Sequence, residues 1–198
     1  MRRTLFASLG LCALALSLVP AGLAARVHVR VEGKTQTIYG AAEPTVDVAN
    51  PLAAIEAASL FGEFYYHVTT TAFGPYVDQV GRYPAGGTSG WVFKVNGDSP
   101  PVGADKVELK AGDRVLWYWA TFGPTGAGPE TLSLRRVNRR CYAVAAQDDT
   151  GKTRPAAGSV LRVDGRAVKT RAGQGCVGKH RGLVRATLAG AVRSNALP

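Results

Sequence analysis

The nine residues FGPTGAGPE (122–130) hold three glycines and two prolines, a composition that neither a helix nor a sheet interior tolerates. They divide the chain into two unlike parts. From Arg26 to Thr121 there are eight Lys/Arg against ten Asp/Glu, a net of −2; from Phe122 to Pro198 there are fourteen against four, a net of +10. A break in composition at a Gly/Pro stretch predicts a linker at 122–130 between a mildly acidic domain over 26–121 and a basic one over 131–198. Each is small enough that its core must be modest.

The first residues are read as a leader, not as part of the fold. A basic Met1-Arg2-Arg3, an apolar run ending at Pro20 and the small residues AGLAA follow the order of an export signal, which places cleavage near Ala24. Leu11 before Cys12 argues against lipid attachment. No second apolar run follows, so once the signal over 1–24 is removed the mature chain is expected to carry no transmembrane segment. It is expected to be secreted, extracellular, and associated with the envelope non-covalently if at all.

In the acidic half, RVHVRVEG sets Val27, Val29 and Val31 on one side of a strand and His28 and Arg30 on the other. DVANPLAAIEAASLFG then offers Asn50 as N-cap, Pro51 at the first helical position and Gly62 at the C-terminal end. Four β-rich stretches follow, punctuated by turns at Asn96-Gly97 and Ala111-Gly112-Asp113. One helix over a mixed sheet of four or five strands is the β-grasp arrangement, so the expected fold class is α+β for this half. Strand parity puts Trp91, Phe93 and Val95 opposite Val92 and Lys94, and Val115, Trp117 and Trp119 opposite Arg114, Leu116 and Tyr118. With charges taken to mark the solvent side, the tryptophans read as core.

The segments FGPYVDQVGRY, SGWVFKVNG, PPVGADKVEL and KAGDRVLWYW, in this order after an Ala-rich helix, resemble the transcobalamin-like C-terminal domain. That family is a β-grasp module of secreted bacterial proteins of unknown function, similar to the small domain that closes over cobalamin in animal vitamin B12 carriers. The resemblance covers residues 26–121 and implies the fold and secretion, with a corrinoid or another cobalamin-like small molecule as a ligand by analogy only. The helical barrel that forms the other half of the animal site has no counterpart here. Members of the family carry polar side chains where this chain has Leu116 and Tyr118. An apolar pair on the open face predicts a cover, either the second domain or a ligand. Phe73 and Tyr76 would rim such a groove, or pack in an ordinary turn.

The basic half alternates around Cys141, Tyr142 and Val144, and SVLRVDGRAVKT reads as a hairpin with Asp164-Gly165 at its turn. These short strands predict a small all-β sandwich. The pattern over 131–198 resembles carboxypeptidase-regulatory-like and bacterial immunoglobulin-like modules of secreted and adhesive proteins. Once Cys12 leaves with the signal, Cys141 and Cys176 form an even pair in an oxidising compartment, which predicts one disulfide.

Motifs for chemistry are sparse. DTGKT (149–153) has Ala146 where a phosphate loop needs glycine. His28, His67 and His180 lie apart, with no metal-ligand spacing, and Ser89 lacks the second glycine of a nucleophile elbow. No enzyme activity, cofactor or metal is expected. Arg135, Arg136, Arg139 and Arg140, with the cations after them, make a field that attracts polyanions: wall polymers, acidic glycans or lipid head groups. Nucleic acid is disfavoured, because no aromatic residues interleave the cations. The expected function is a non-enzymatic binding protein of the cell surface or medium, an adhesion-type module, with a small-molecule carrier as the alternative.

Overall fold

The computed structural model describes residues 24–198, so all of the expected leader except Ala24 lies outside it. In the first half the elements are β1 (Ala25–Glu32), β2 (Thr37–Tyr39), β3 (Thr45–Val48), α1 (Pro51–Gly62), β4 (Tyr66–Thr71), β5 (Gly74–Val80), β6 (Tyr83–Pro84), β7 (Ser89–Val95) and β8 (Arg114–Thr121). In the second they are β9 (Thr131–Arg136), β10 (Cys141–Gln147), β11 (Thr153–Pro155), β12 (Val160–Val163), β13 (Arg166–Lys169), β14 (Gln174–Cys176), β15 (Val184–Thr187) and β16 (Ala196–Leu197).

The expected α+β β-grasp domain is corrected by this architecture. A single helix of 12 residues stands against strands throughout the described chain, and the whole is mostly β and sandwich-like. The β-rich stretches after α1, expected to join one mixed sheet, separate. β4, β5 and β6 form their own three-stranded sheet, while β7 and β8 join the five-stranded sheet β2-β1-β8-β7, with β3 also on β1. Composition marks a segment as strand, but the choice of neighbour rests on tertiary packing, which alternation alone does not encode.

Within the five-stranded sheet β1 and β8 run parallel, Val29 beside Val115 and Val31 beside Trp117. β7 pairs antiparallel with β8 and sets Trp91 opposite Trp119. One face buries Val27, Val29, Val31, Val115, Trp91 and Trp117 against Ala54, Ile55 and Ala58 of α1. Trp119 and Phe93 pack on the same cluster, half-buried. Two of the three indole donors are used, Trp117 Nε1 donating to the Pro51 carbonyl at 2.9 Å and Trp91 Nε1 to the Tyr83 carbonyl at 2.8 Å, while Trp119 Nε1 is buried with no partner among the described residues. The helix starts as its sequence requires, Asn50 Oδ1 accepting from Ala53 N at 2.8 Å. Its end differs from expectation, because Glu63 supplies the left-handed cap residue. Gly62 instead admits a close neighbour, since a Cβ there would lie 2.8 Å from the Tyr39 ring.

The second half is two four-stranded sheets, β11-β10-β14 with β9 on β10, and β13-β12-β15-β16. Between them Leu132, Leu134, Tyr142 and Val144 from one sheet meet Leu161, Val163, Val184 and Ala186 from the other. The disulfide joins Cys141 to Cys176 directly across the β10–β14 pair.

Candidate functional site

The second face of the five-stranded sheet is where the two halves meet. Parity sends Arg30 and Glu32 of β1, Lys94 of β7, and Leu116 and Tyr118 of β8 to this side, and all five are buried. Leu116, Tyr118 and Ala120 pack with Val92, Phe122 and, from the second half, Val192. The expectation that charges on this side face solvent is therefore corrected. They face partners. Glu32 is the hub: Arg30 Nη1 donates to its Oε1 at 3.3 Å, Arg193 Nε to its Oε2 at 3.0 Å, and Arg185 also donates to it. Thr37 Oγ1 adds a contact to Oε2 at 3.2 Å, and Arg30 also binds Glu43 at 3.2 Å. Arg185 and Arg193 come from the second half, so Glu32 ties the halves together. Burial pushes the Arg185 guanidinium down from its ordinary value against the pull of Glu32.

Lys94 anchors the other end of the seam. Its Nζ donates to the Asp148 carbonyl at 2.8 Å and to Thr131 Oγ1 at 3.2 Å, and lies 3.7 Å from Asp149. Burial lowers its pKa, opposed first by the Asp149 carboxylate. Tyr118 Oη donates to the same carboxylate at 3.3 Å, and burial, with that charge beside it, pushes the phenol up.

At the free side of β7 the seam opens into a cavity of about 370 Å³, walled by Tyr76 and Val77 of β5, Trp91 to Phe93 of β7, Ser99, Pro100, Gly103 and Ala104 of the β7–β8 connection, and Tyr118, Phe122 and Asp149. Of the four side chains expected at a ligand groove, the structure brings Tyr76 and Tyr118 together here. Leu116 lies apart, in the gap beside Arg30 and Lys94, and Phe73 stands at the β4–β5 turn, 98% exposed. Trp91, Phe93, Phe122 and Asp149 were not expected to line a site. Trp91 and Phe93 read as core because their parity is that of core residues, and nothing local to β7 marks it as an edge strand.

A second concavity, open and about 850 Å³, is basic. Arg136 at the end of β9, Arg139 and Arg140 in the β9–β10 turn, and Lys179, His180 and Arg181 after β14 surround it, with Asp164 and Pro198. Its frame is rigid. Arg166 donates to the carbonyls of Val177 and Lys179, at 3.0 and 2.8 Å, and Asp164 accepts from the backbone of Arg181 and Gly182, at 3.0 and 2.8 Å. Those two N–H groups hold the Asp164 carboxyl below its ordinary value. Tyr142 Oη bonds the His180 ring at 3.0 Å, and Arg136 lies over the Tyr142 ring. Among the described residues, the side chains of Arg136, Arg139, Arg140, Lys179 and Arg181 form no ion pair, whereas Arg30, Arg114, Arg154, Arg166, Arg185 and Arg193 each face a carboxylate. Arg135, on the opposite parity from Arg136, lines a separate groove of about 250 Å³ with Arg154 and Ala143 to Ala145. Three of the four expected arginines thus share one site, joined by Lys179 and Arg181.

Comparison with known proteins gives limited kinship. The profile of a domain of unknown function, DUF4430, matches residues 57–121, from within α1 to the end of β8. A search of curated proteins finds no match. Among solved structures, one described as a "putative metal binding protein" from Ruminococcus gnavus is similar over 48% of this chain and 95% of its own, at 17% identity and a TM-score of 0.37. A likeness that distant carries no inference about this chain. Among the described residues no three His, Cys, Asp or Glu side chains gather where a metal ion would sit, and no helix is long and apolar enough to cross a membrane.

Proposed function

We propose that this chain is an exported, non-enzymatic binding protein whose basic cleft holds it to an anionic polymer such as a wall polymer or acidic glycan. The observation that carries the reading is that five cations without ion pairs among the described residues, Arg136, Arg139, Arg140, Lys179 and Arg181, gather around one concavity, whereas Arg185 and Arg193 at the seam face Glu32. Free guanidinium groups at fixed spacing suit phosphate, sulfate and carboxylate groups, which they bind bidentately. The disulfide between Cys141 and Cys176, beside the cleft, fits an oxidising compartment.

The test is binding to polyphosphate and to heparin at rising salt. With about three to five anionic charges neutralised, affinity should fall steeply between about 50 and 200 mM salt. The triple variant Arg139→Ser, Arg140→Ser, Arg181→Ser should lose most of the binding and flatten that slope, while Arg135→Ser should change little. Binding indifferent to salt, or equal losses from Arg135→Ser and the triple variant, would sink the reading.

A small-molecule carrier is the second reading, and the cavity beside β7 favours it. At about 370 Å³ it stands at the low end of the roughly 300–1,000 Å³ typical of ligand pockets, which suits a compact ligand better than a corrinoid.

A further inference from the structure

Among the described residues, β7 is the last strand of its sheet, with β8 on one side and no strand paired on the other. Which residues of β7 offer their backbone to the open side follows from the turns at its two ends. Ser89 N donates to the Gly86 carbonyl at 3.0 Å and Val95 N to the Asp98 carbonyl at 2.9 Å, so odd-numbered positions point away from β8. The opposite parity is used inward, as Asn96 N to Arg114 O and Phe122 N to Thr88 O show. Trp91 and Phe93 must therefore present their N–H and C=O outward. The Tyr76 hydroxyl lies over this edge beside Gly90. Among the described residues nothing on the open side meets the donor or the acceptor of Phe93, and both face the cavity between β5 and β7.

A free edge commonly takes up a further strand, but this one is short. Its ends are closed by the Gly86–Ser89 and Val95–Asp98 turns, and Tyr76 covers the stretch at Gly90, where an added Cβ would come within 2.4 Å of the hydroxyl. With Tyr76 over the Gly90–Trp91 stretch, Phe93 is the residue whose N–H and C=O both remain open. We propose that this cavity binds a compact apolar ligand through a single amino-acid unit, whose C=O accepts from the Phe93 N–H and whose N–H donates to the Phe93 C=O. Directly opposed residues of an antiparallel pair share a face, so its apolar side chain lies on the side of Phe93, toward Val77 and Ala104. Acylated amino acids and the ends of short apolar peptides have this chemistry; a long peptide strand does not fit. The inference rests on the small-molecule reading of the cavity and adds the chemistry of what enters it.

The test uses the ¹⁵N-labelled protein titrated with N-acetyl-phenylalaninamide and with its analogue in which the acylated N–H is replaced by an ester oxygen. The amide should shift the Phe93 backbone resonance saturably, and the ester should bind about tenfold more weakly, because the Phe93 carbonyl then faces an oxygen. Ser99→Trp, at an exposed position on the rim, should block the mouth and weaken the amide at least tenfold. Equal binding of amide and ester would overturn the pairing at Phe93 while leaving a small-molecule site; no saturable shift with either probe would overturn both. An apolar octapeptide that binds more tightly than the single unit and moves the Ser89 and Val95 resonances would also contradict the proposal, since it would need the closed ends of the edge.

Discussion

The two faces of the five-stranded sheet are built from the same strands and solve the problem of burial in opposite ways. Toward α1, Val27, Val29, Val31 and Trp117 meet Ala54 and Ile55, and the indole nitrogens of Trp91 and Trp117 reach backbone carbonyls. Toward the second half, Arg30, Glu32 and Lys94 are buried as deeply as the valines, each held by several partners. The apolar face draws its stability from area removed from water and tolerates any well-shaped apolar filling. The polar face draws little net stability from its charges, whose desolvation offsets their attraction, but it admits only a second half that places Arg185 and Arg193 beside Glu32. One face supplies cohesion and the other supplies register.

That contrast can be broken most sharply at Glu32. Glu32→Ala leaves Arg30, Arg185 and Arg193 buried without their shared carboxylate, and should cost about 3–5 kcal/mol, the range for stranding a buried charge. Urea unfolding should show the loss, together with a broader transition as the halves uncouple. On the apolar face Trp117→Ala should cost a comparable or slightly smaller amount, about 3–5 kcal/mol, through lost burial and a residual cavity. It should leave a single cooperative transition. If Trp117→Ala splits the transition and Glu32→Ala does not, the roles of the two faces are reversed.

A smaller effect sharpens the comparison by pH. The Tyr118 phenol is raised by burial and by Asp149, so above about pH 10 the unfolded state loses that proton first and stability must fall as pH rises. Lys94, held below its ordinary value, acts with the opposite sign, because its unfolded form binds the proton more tightly. Unfolding midpoints of Tyr118→Phe and the parent measured from pH 9 to 11 should diverge, the variant falling less steeply. Parallel curves would mean that the phenol is not confined at the seam.

Much of the apolar face was legible in the sequence, since alternation in RVHVRVEG and the parity of Trp91 and Trp117 are local properties. The pairing of Cys141 with Cys176 followed from there being two thiols in one half. The cover over Leu116 and Tyr118 was foreseen as a choice between the second half and a ligand, and Val192 supplies it. What escaped was the identity of neighbours. Arg30 and Lys94 obey the parity assigned to them, but a charge on an alternating strand reads as solvated unless its partners, here more than a hundred residues away for Arg193, are known to arrive. The separate β4-β5-β6 sheet was hidden for the same reason, and with it the free edge of β7. Arg135 and Arg136 look equivalent in sequence and point to different grooves, because adjacent strand residues face opposite ways.

The central claim, that the charged face is a specific seam between the halves, is tested most directly by a double-mutant cycle joining Glu32→Gln in β1 with Arg185→Met in β15. Residues paired across a buried interface should couple by about 1–3 kcal/mol, so that the double variant is clearly less destabilised than the sum of the two single ones. Additivity within about 0.5 kcal/mol would mean that the two side chains do not meet, and would contradict the charged face as a specific seam.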